Sequence, residues 1–229
     1  MDSVVDTISV TTPADRLGSS ATELPLLGSL PASVRDRLLQ ASRIERVPPR
    51  TDIFAKGETP KDLHLVLSGI IDLSCSYKGG ECTALMMAAG DVFMPAAALY
   101  AEPYLVSARA LTASRILMID ADVVRHEAAK CTELTLGLAR IMAGQWRVAL
   151  KIILDLKCRS PSQRLAAFLL RLHASQSGPP AEIPFSKRQL ASRIGMQRHV
   201  AGLLAFAHQV DRGYAAKQYR LFNAINWDS

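Results

Sequence analysis

The sequence has few of the signals that mark metal centres, membrane spans or export. Its cysteines, Cys75, Cys82, Cys131 and Cys158, form no C-x-x-C pair, which argues against a zinc site or an iron–sulfur cluster. The N-terminal segment lacks the basic-then-apolar pattern of a signal peptide. No apolar run approaches the roughly 18 residues that a membrane-spanning helix needs. We therefore expect a cytoplasmic chain with reduced thiols and no membrane partner.

Catalytic motifs are also lacking. The sequence has no nucleophile elbow, P-loop, H-E-x-x-H motif or paired-carboxylate motif, so an enzyme is not expected. The chain does have ordinary globular composition, with 229 residues of which 49% are hydrophobic and 21% charged. Its net charge of +6 is consistent with a nucleic-acid partner, although a soluble protein slightly rich in arginine would carry the same charge.

The pattern of the chain divides it into four parts. Residues 1–22 are Ser- and Thr-rich without periodicity and are predicted to be a flexible arm. Residues 23–131 begin with an amphipathic helix over LPASVRDRLLQASRIERVP, and from Thr51 continue as short β-rich runs broken by glycines, as in a barrel or jelly roll. Residues 132–158 predict one long helix, and residues 159–229 hold further helical units.

Polar residues mark the starts of the helices that follow the β-rich part. Asp120 is predicted as the N-cap of the short helical stretch DADVVRHEAA, and Thr132 as that of the long helix.

In the earlier amphipathic helix, Val34, Leu38 and Leu39 recur at helical spacing. In LHLVLSGIIDLS, leucines alternate with other residues, which is typical of a strand with one buried face.

The long helix has two apolar sides. One side follows alternating steps of four and three residues, the pattern of a coiled-coil seam, and predicts a homodimer interface made by Leu134, Leu138, Ile141, Gln145, Val148 and Ile152. The polar Gln145 is expected to fix the register between two chains. The other side carries Leu136, Met142, Trp146 and Ile153. Packing on both its own barrel and a partner's helix explains two apolar sides better than burial in a monomer.

Several segments, in this order, resemble one family. DLHLVLSGIIDL, AAGDVF, SARALTASRILMID, SPSQRLAAFLLRL and LASRIGM are similar to the CRP/FNR transcription regulators from about residue 24 to 196, and most similar to their FtrB-like branch. The resemblance implies an α+β architecture with an N-terminal β jelly-roll of the cyclic-nucleotide-binding type, a dimerisation helix, and a C-terminal winged helix-turn-helix over residues 159–229. It also implies an effector-responsive regulator with DNA, a second copy and RNA polymerase as partners.

The predicted helix-turn-helix is incomplete. The residues expected to contact DNA are Ser186, Lys187, Arg188, Arg193, Gln197, Arg198 and His199. After Met196 the resemblance ends, because Val200 to Ala207 carries no polar side chain where the family has its recognition helix. Three explanations remain: a divergent but working DNA reader, a dimeric ligand-binding or interaction protein that has lost sequence-specific DNA binding, or a slip of the coding frame near Met196.

The sensor part lacks the phosphate grip that the resemblance calls for. Cyclic-nucleotide-binding members of the family use a Gly-Glu pair and an Arg-Ser or Arg-Thr pair, and here Met94–Pro95 and Tyr104–Leu105 stand at those places. Arg109 lies farther along, where the family has a structural strand residue. Because a buried phosphate without a charged partner is costly, we predict an effector other than a cyclic nucleotide.

What remains of the pocket is an apolar wall. It is predicted to comprise Phe93, Met94, Leu99, Tyr100, Tyr104, Val106 and Met118, and it would either line a site for haem or another flat apolar ligand or form a filled core. Candidate haem ligands are His64 and His126, with Cys75 and Cys82 as thiolates. An iron–sulfur cluster is not expected, and redox sensing by Cys131 or Cys158 is a further alternative.

Overall fold

A computed structural model describes residues 23–77, 80–161, 163–164 and 166–168. The predicted arm, and the predicted helix-turn-helix apart from its first residues, lie outside this part of the chain. The predicted DNA contacts also lie outside it, namely Ser186, Lys187, Arg188, Arg193, Gln197, Arg198 and His199.

Two short helices precede the first strand. They are α1 (Pro25–Gly28), which begins with a proline as a first helical turn allows, and α2 (Ala32–Gln40). The predicted apolar side of α2 is confirmed, since Val34, Leu38 and Leu39 are buried. The helix is shorter than predicted, however, because residues 42–47 form a strand. Pairing of that strand with the eighth strand overrides the local helical pattern.

Among the described residues, eight strands form two four-stranded sheets. Their bounds are β1 Ser42–Val47, β2 Asp52–Phe54, β3 Asp62–Ser68, β4 Ile71–Tyr77, β5 Gly80–Met87, β6 Val92–Phe93, β7 Ser107–Ala110 and β8 Ser114–Asp120. The first sheet has the strand order β1-β8-β3-β6 and the second β2-β7-β4-β5. The predicted β-rich part from Thr51 to about Ile119 is confirmed, with β1 as an addition.

The central strands β3 and β8 are buried on both faces. They pair antiparallel, with Leu63 opposite Ile119 and His64 opposite Met118. Leu63 and Leu65 belong to the main core, which also contains side chains of α1, α2 and the long helix, whereas His64 lies among aromatic rings on the other face. The sequence pattern had predicted one buried face for β3. Because His64 alternates with leucines, its side of the strand is predicted to be polar and exposed, but tertiary packing buries it.

Three further helices follow the strands or connect them. The helix α3 (Pro95–Tyr100) lies between β6 and β7, α4 (Ala121–Ala128) follows β8, and α5 (Thr132–Cys158) is 27 residues long. The predicted N-cap of α4 is confirmed, because the Asp120 carboxylate accepts hydrogen bonds from the backbone N–H groups of Asp122 at 2.9 Å and Val123 at 3.0 Å. Among the described residues, no helix is long and apolar enough to cross a membrane.

The chain divides into two compact units. Among the described residues, one contains residues 23–73 together with Met86–Gln145, and the other contains Ser74–Leu85 and the described chain from Trp146. The first unit holds most of both sheets and the first half of α5. The second holds the end of the β4–β5 hairpin and the rest of α5.

Candidate effector site

Four aromatic side chains fill the space between the two sheets. Phe54 from β2 stacks on Tyr104 with ring centroids 3.7 Å apart, and His64 from β3 stacks on Phe93 from β6 at 4.9 Å. Phe54 also contacts His64 at 5.3 Å, so the rings join the second sheet to the first. All four residues are buried. We call Phe54, His64, Phe93 and Tyr104 the aromatic cluster; its side chains occupy the barrel interior.

His64 is the polar member of the cluster, and it is uncharged near neutral pH. Burial lowers the pKa of its imidazole to about 4; the Asp62 carboxylate acts in the opposite direction and the Arg43 guanidinium adds to the lowering. The Asp62 and Arg43 charges largely offset one another because they form a two-point ion pair, at 2.7 and 2.6 Å. Within the described chain, His64 Nδ1 has no hydrogen-bond partner. The interior therefore offers one uncharged imidazole nitrogen among rings.

Tyr104 stands where nucleotide-binding relatives carry an arginine, and the backbone holds it in place. Its N–H donates to the Glu58 carbonyl at 3.0 Å, and its own carbonyl accepts from the Gly57 N–H at 2.8 Å. Burial, together with the Asp62 and Glu58 carboxylates, raises the pKa of the phenol well above its usual range. The hydroxyl therefore stays protonated, and this position supplies no positive charge for an anionic ligand.

Helix α3 offers no carboxylate, because its sequence is PAAALY. It begins after Met94 and ends before Ala101, and both of these flanking residues have a positive φ, near 54° and 55°. Such a backbone is unfavourable for residues with a Cβ and costs on the order of 1–2 kcal/mol each. The strain is consistent with a position where the family's nucleotide-binding members carry glycine. The Gly-Glu half of the phosphate grip is thus absent from this helix.

The arginines nearest to these elements are engaged with protein groups. Arg125 on α4 donates to the Ala98 carbonyl of α3 and to the Asp122 carboxylate. Arg109 on β7 pairs with Asp52 on β2, with its Nε 2.5 Å from Oδ1, and the pKa of Asp52 is lowered by this hydrogen bond. Arg109 therefore has the structural role expected of it, holding two neighbouring strands of the second sheet together.

The predicted wall residues do not all lie in the interior. Phe93 and Tyr104 belong to the aromatic cluster, and the buried Met118 lies opposite His64 in the strand register. Met94 and Val106 are half-buried. Leu99 instead packs against the main core on the helix side, and Tyr100 is 76% exposed. Leu99 and Tyr100 thus lie away from the aromatic cluster, because adjacent residues of a helix point in different directions.

Phe54 is not among the residues predicted to line the pocket, and His64 is predicted either as a haem ligand or as a core or edge residue of a strand. The available signal was an aromatic residue ending the β-rich run DIF, next to a turn. His126 is exposed on α4, with its Nε2 2.7 Å from Lys130 Nζ. Cys75 and Cys82 are half-buried on β4 and β5. No group of three or more His, Cys, Asp or Glu residues in the described part of the chain could hold a metal ion.

The first half of the predicted dimer seam faces the chain's own barrel. Leu134 and Leu138 are fully buried in the main core, and Ile141 packs against it. Gln145 Nε2 donates to the backbone carbonyl of Val92 on β6, at 2.5 Å. These four residues are therefore engaged within one chain. Hydrophobic periodicity identifies an apolar side of a helix but not what covers it, and here the chain's own barrel covers the first half of the predicted seam.

The other side of the long helix is exposed instead. Leu136 is 49% exposed, Trp146 64% and Ile153 42%. Of the remaining seam residues, Val148 is exposed and Ile152 is half-buried. The side of the helix that carries Leu136, Trp146 and Ile153 is therefore left uncovered within the described chain.

Comparison with known proteins identifies the barrel. Residues 44–130, from β1 to the end of the turn after α4, match the sequence profile of the cyclic nucleotide-binding domain. The barrel is a cyclic nucleotide-binding-type domain. Among curated proteins, no sequence matches the chain.

Solved structures extend the likeness beyond this domain. A protein from Eubacterium rectale, assigned to the CRP/FNR family of transcriptional regulators, has a TM-score of 0.71 at 18% identity, covering 86% of this chain and 98% of its own. The c-di-GMP-responsive global regulator CLP from Xanthomonas campestris has a TM-score of 0.67 at 18% identity, with 78% and 92% covered. FixK2 from Bradyrhizobium japonicum has a TM-score of 0.62 at 16% identity, with 82% and 89% covered.

These comparisons confirm the predicted resemblance at the level of the fold. The cyclic nucleotide-binding-type domain is followed by a long helix, as expected from the sequence. The FtrB-like branch, the helix-turn-helix and the homodimer remain predictions. The name of the domain describes its fold, and the residues of its interior decide what it binds.

Proposed function

We propose that the chain is a homodimeric, DNA-binding transcription regulator of the CRP/FNR type, whose barrel responds to an effector other than a cyclic nucleotide. The observation that carries the proposal is a cyclic nucleotide-binding-type barrel joined to a 27-residue helix with an exposed apolar side. The structural neighbours with this arrangement include regulators. A regulator needs both parts, since one senses the effector and the other links two copies on a two-fold DNA site.

The exposed side of α5 supports the homodimer. Of the nine large hydrophobic residues found exposed in the described chain, seven lie on this helix. A run with alternating steps of three and four residues, the spacing of a coiled-coil seam, is exposed along it: Leu136, Ala139, Ala143, Trp146, Leu150 and Ile153. An apolar stripe of this length would be costly in water, and a second copy would cover it.

The interior of the barrel supports an uncharged, flat effector. Helix α3 lacks a carboxylate for a ribose hydroxyl, and Tyr104 replaces the cation that a phosphate needs. The aromatic cluster offers ring faces and one uncharged imidazole instead. The Xanthomonas neighbour is described as responsive to c-di-GMP, so relatives by fold differ in their effectors. Haem shares the flat ring but carries two propionate carboxylates, so it would also need solvent or a cation beside them; His64 would be its iron ligand.

DNA binding is proposed from the sequence of the C-terminal part. Lys187, Arg188 and Arg193 would bind phosphates, while Gln197 to His199 would contact bases. A second candidate function is a dimeric ligand-binding or interaction protein without sequence-specific DNA binding. It is favoured by one observation, the absence of polar side chains from Val200 to Ala207.

The test is selection of the full-length protein on a library of palindromic DNA sites at two salt concentrations. We expect a preferred sequence that survives a rise from about 50 to about 200 mM salt. In the matched variants, Arg198→Ala should remove the sequence preference, whereas Lys187→Ala should weaken binding to every sequence and lower the salt slope by about one. Weak binding that ignores sequence and disappears at the higher salt would favour the second candidate.

A further inference from the structure

Cys75 lies on β4 and Cys82 on β5, the two strands of a hairpin with a short connection. These strands are neighbours in the second sheet, and only residues 78 and 79 separate Tyr77, the last residue of β4, from Gly80, the first of β5. A connection this short requires antiparallel strands. A two-residue hairpin connection pairs the residues on either side of it, here Tyr77 and Gly80, so the same register pairs Cys75 with Cys82 two residues farther along each strand.

The spacing of directly opposed residues suits a disulfide. In antiparallel pairs such residues point to the same face, with Cα atoms about 4.5–5.5 Å apart and Cβ atoms about 4.5–5.5 Å apart. A disulfide needs Cα atoms about 4.4–6.8 Å apart and Cβ atoms about 3.5–4.5 Å apart. The Cα distance already suits a disulfide, and only the two Cβ atoms need to move slightly closer together. Because closing the Cβ gap stores some strain, the bond would be easier to reduce than a structural disulfide.

The four cysteines differ in access and in neighbours. Cys75 and Cys82 are both half-buried, so a small oxidant can reach them, and all four cysteines are thiols in this structure. Cys131 is buried and its thiol donates to the Glu133 carboxylate at 3.3 Å, while Cys158 is exposed near the end of α5. Cys75 and Cys82 are therefore better placed than Cys131 or Cys158 to form a disulfide within the chain, because they lie on paired strands and an oxidant can reach both.

We propose that Cys75 and Cys82 form a reversible redox pair that closes as an intrachain disulfide under peroxide. One thiolate attacks an oxygen of hydrogen peroxide; the O–O bond breaks, giving a sulfenic acid and a hydroxide that takes up a proton as water. The second thiol loses its proton and attacks the sulfenic sulfur, so the S–S bond forms, the S–O bond breaks and a second water leaves. Both thiols are oxidised and the peroxide is reduced. Exchange with an external dithiol reverses the reaction.

The position of the pair gives the bond a structural consequence. Both cysteines lie within Ser74–Leu85, the stretch of the β-rich part that belongs to the second compact unit together with the chain from Trp146. The same strand β4 begins with Ile71 and Leu73, which are buried in the first unit. Closing the disulfide therefore restricts the hairpin end of a strand that contributes to both units.

The test is mass spectrometry of the full-length protein before and after treatment with hydrogen peroxide. Thiols are blocked with N-ethylmaleimide in denaturant, so that buried cysteines react as well. We expect all four cysteines to be labelled in the reduced protein and only two after peroxide, with four again after dithiothreitol. Trypsin cleaves after Lys78, which lies between the two cysteines, so the bond should appear as a linked pair of peptides.

Variants separate this site from accidental oxidation. Cys158→Ser should form the same linked peptides to the same extent. Cys75→Ser combined with Ser76→Cys keeps a thiol in the hairpin but moves it to the opposite face of β4, and should lose the linked peptides. The proposal is overturned if the shifted thiol links equally well, if the link joins Cys131 or Cys158 instead, or if Cys75 and Cys82 end only as separate sulfinic acids.

Discussion

Arg37 and Glu127 form a two-point ion pair that ties α2 to α4. Arg37 Nε lies 2.9 Å from Glu127 Oε1, and Nη2 lies 2.7 Å from Oε2. The Glu127 side chain is only 7% exposed, so this carboxylate is held in the protein by its partner. The hydrogen bond from Arg37, opposed by burial and assisted by the positive charges of Arg37, His126 and Lys130, lowers the pKa of Glu127.

This pair predicts an acid-sensitive contribution to stability. Because the pKa of Glu127 is lower in the folded state, the stabilisation is present above the ordinary glutamate pKa of about 4.3 and is lost as pH falls through the lowered value. Glu127→Gln should therefore be clearly less stable than the native protein in urea titrations at pH 7, with the difference shrinking towards pH 3. Glu102→Gln, at an exposed position, serves as the control. Equal stability of the Glu127 variant at pH 7 would contradict the prediction.

His64 predicts a second acid effect in a higher pH range. The pKa of His64 is lowered from 6.5 to about 4 in the folded barrel. Between these two pH values the unfolded chain binds a proton at this histidine and the folded chain does not. The free energy of unfolding therefore decreases as pH drops from 6.5 to 4. The full shift corresponds to about 3 kcal/mol, at 1.36 kcal/mol per pKa unit. His64→Phe keeps a ring beside Phe93 and should flatten this pH dependence. An unchanged slope between pH 6.5 and 4 in chemical unfolding would show that another group is responsible.

Two glycines with the same backbone conformation differ in the space around them. Gly69, between β3 and β4, has φ near +92°, and a Cβ there would lie 2.7 Å from the Ala113 carbonyl oxygen and in collision with the Ser114 hydroxyl. Gly57 has φ near +90° with nothing within 4 Å. Gly57→Ala should cost about 1 kcal/mol from backbone strain alone, and Gly69→Ala about 3 kcal/mol or more. Thermal unfolding of both variants measures the difference, and equal costs would mean that the turn at Gly69 relaxes.

The exposed side of α5 predicts which substitution separates the two copies. Leu150→Glu places a charge in the exposed stripe and should shift the protein from dimer to monomer in sedimentation experiments, without lowering the stability of the barrel. Leu138→Ala is the matched change on the buried side, and should cost about 2–5 kcal/mol of stability. A dimer that survives Leu150→Glu, at concentrations where the native protein just assembles, would place the interface elsewhere.

Much of the fold follows from local pattern. The β-rich runs, the Asp120 cap and the start of a long helix at Thr132 all have local signals, and the structure contains each of them. Strand β1 could not be predicted in this way. Its sequence SRIERV continues a helical pattern, and it becomes a strand because β8 offers it a partner from Ser42 to Val47.

The interior of the barrel could be predicted only in part. The missing phosphate grip was visible in the sequence, because it is a matter of which residue types are present. The cluster of Phe54 with Tyr104 was not, since it joins positions 50 residues apart, and periodicity carries no information about such contacts. For the same reason, the sequence showed two apolar sides of α5, but not that Leu134 belongs to the core and Trp146 to the surface.

Strand β3 separates the aromatic cluster on one face from the main apolar core on the other. His64 touches the rings of the aromatic cluster, while its chain neighbours Leu63 and Leu65 pack in the core that contains Leu134 of α5. Because both faces of the strand are packed, its backbone is held from both sides. One strand of backbone therefore separates the aromatic cluster from the core that packs against α5.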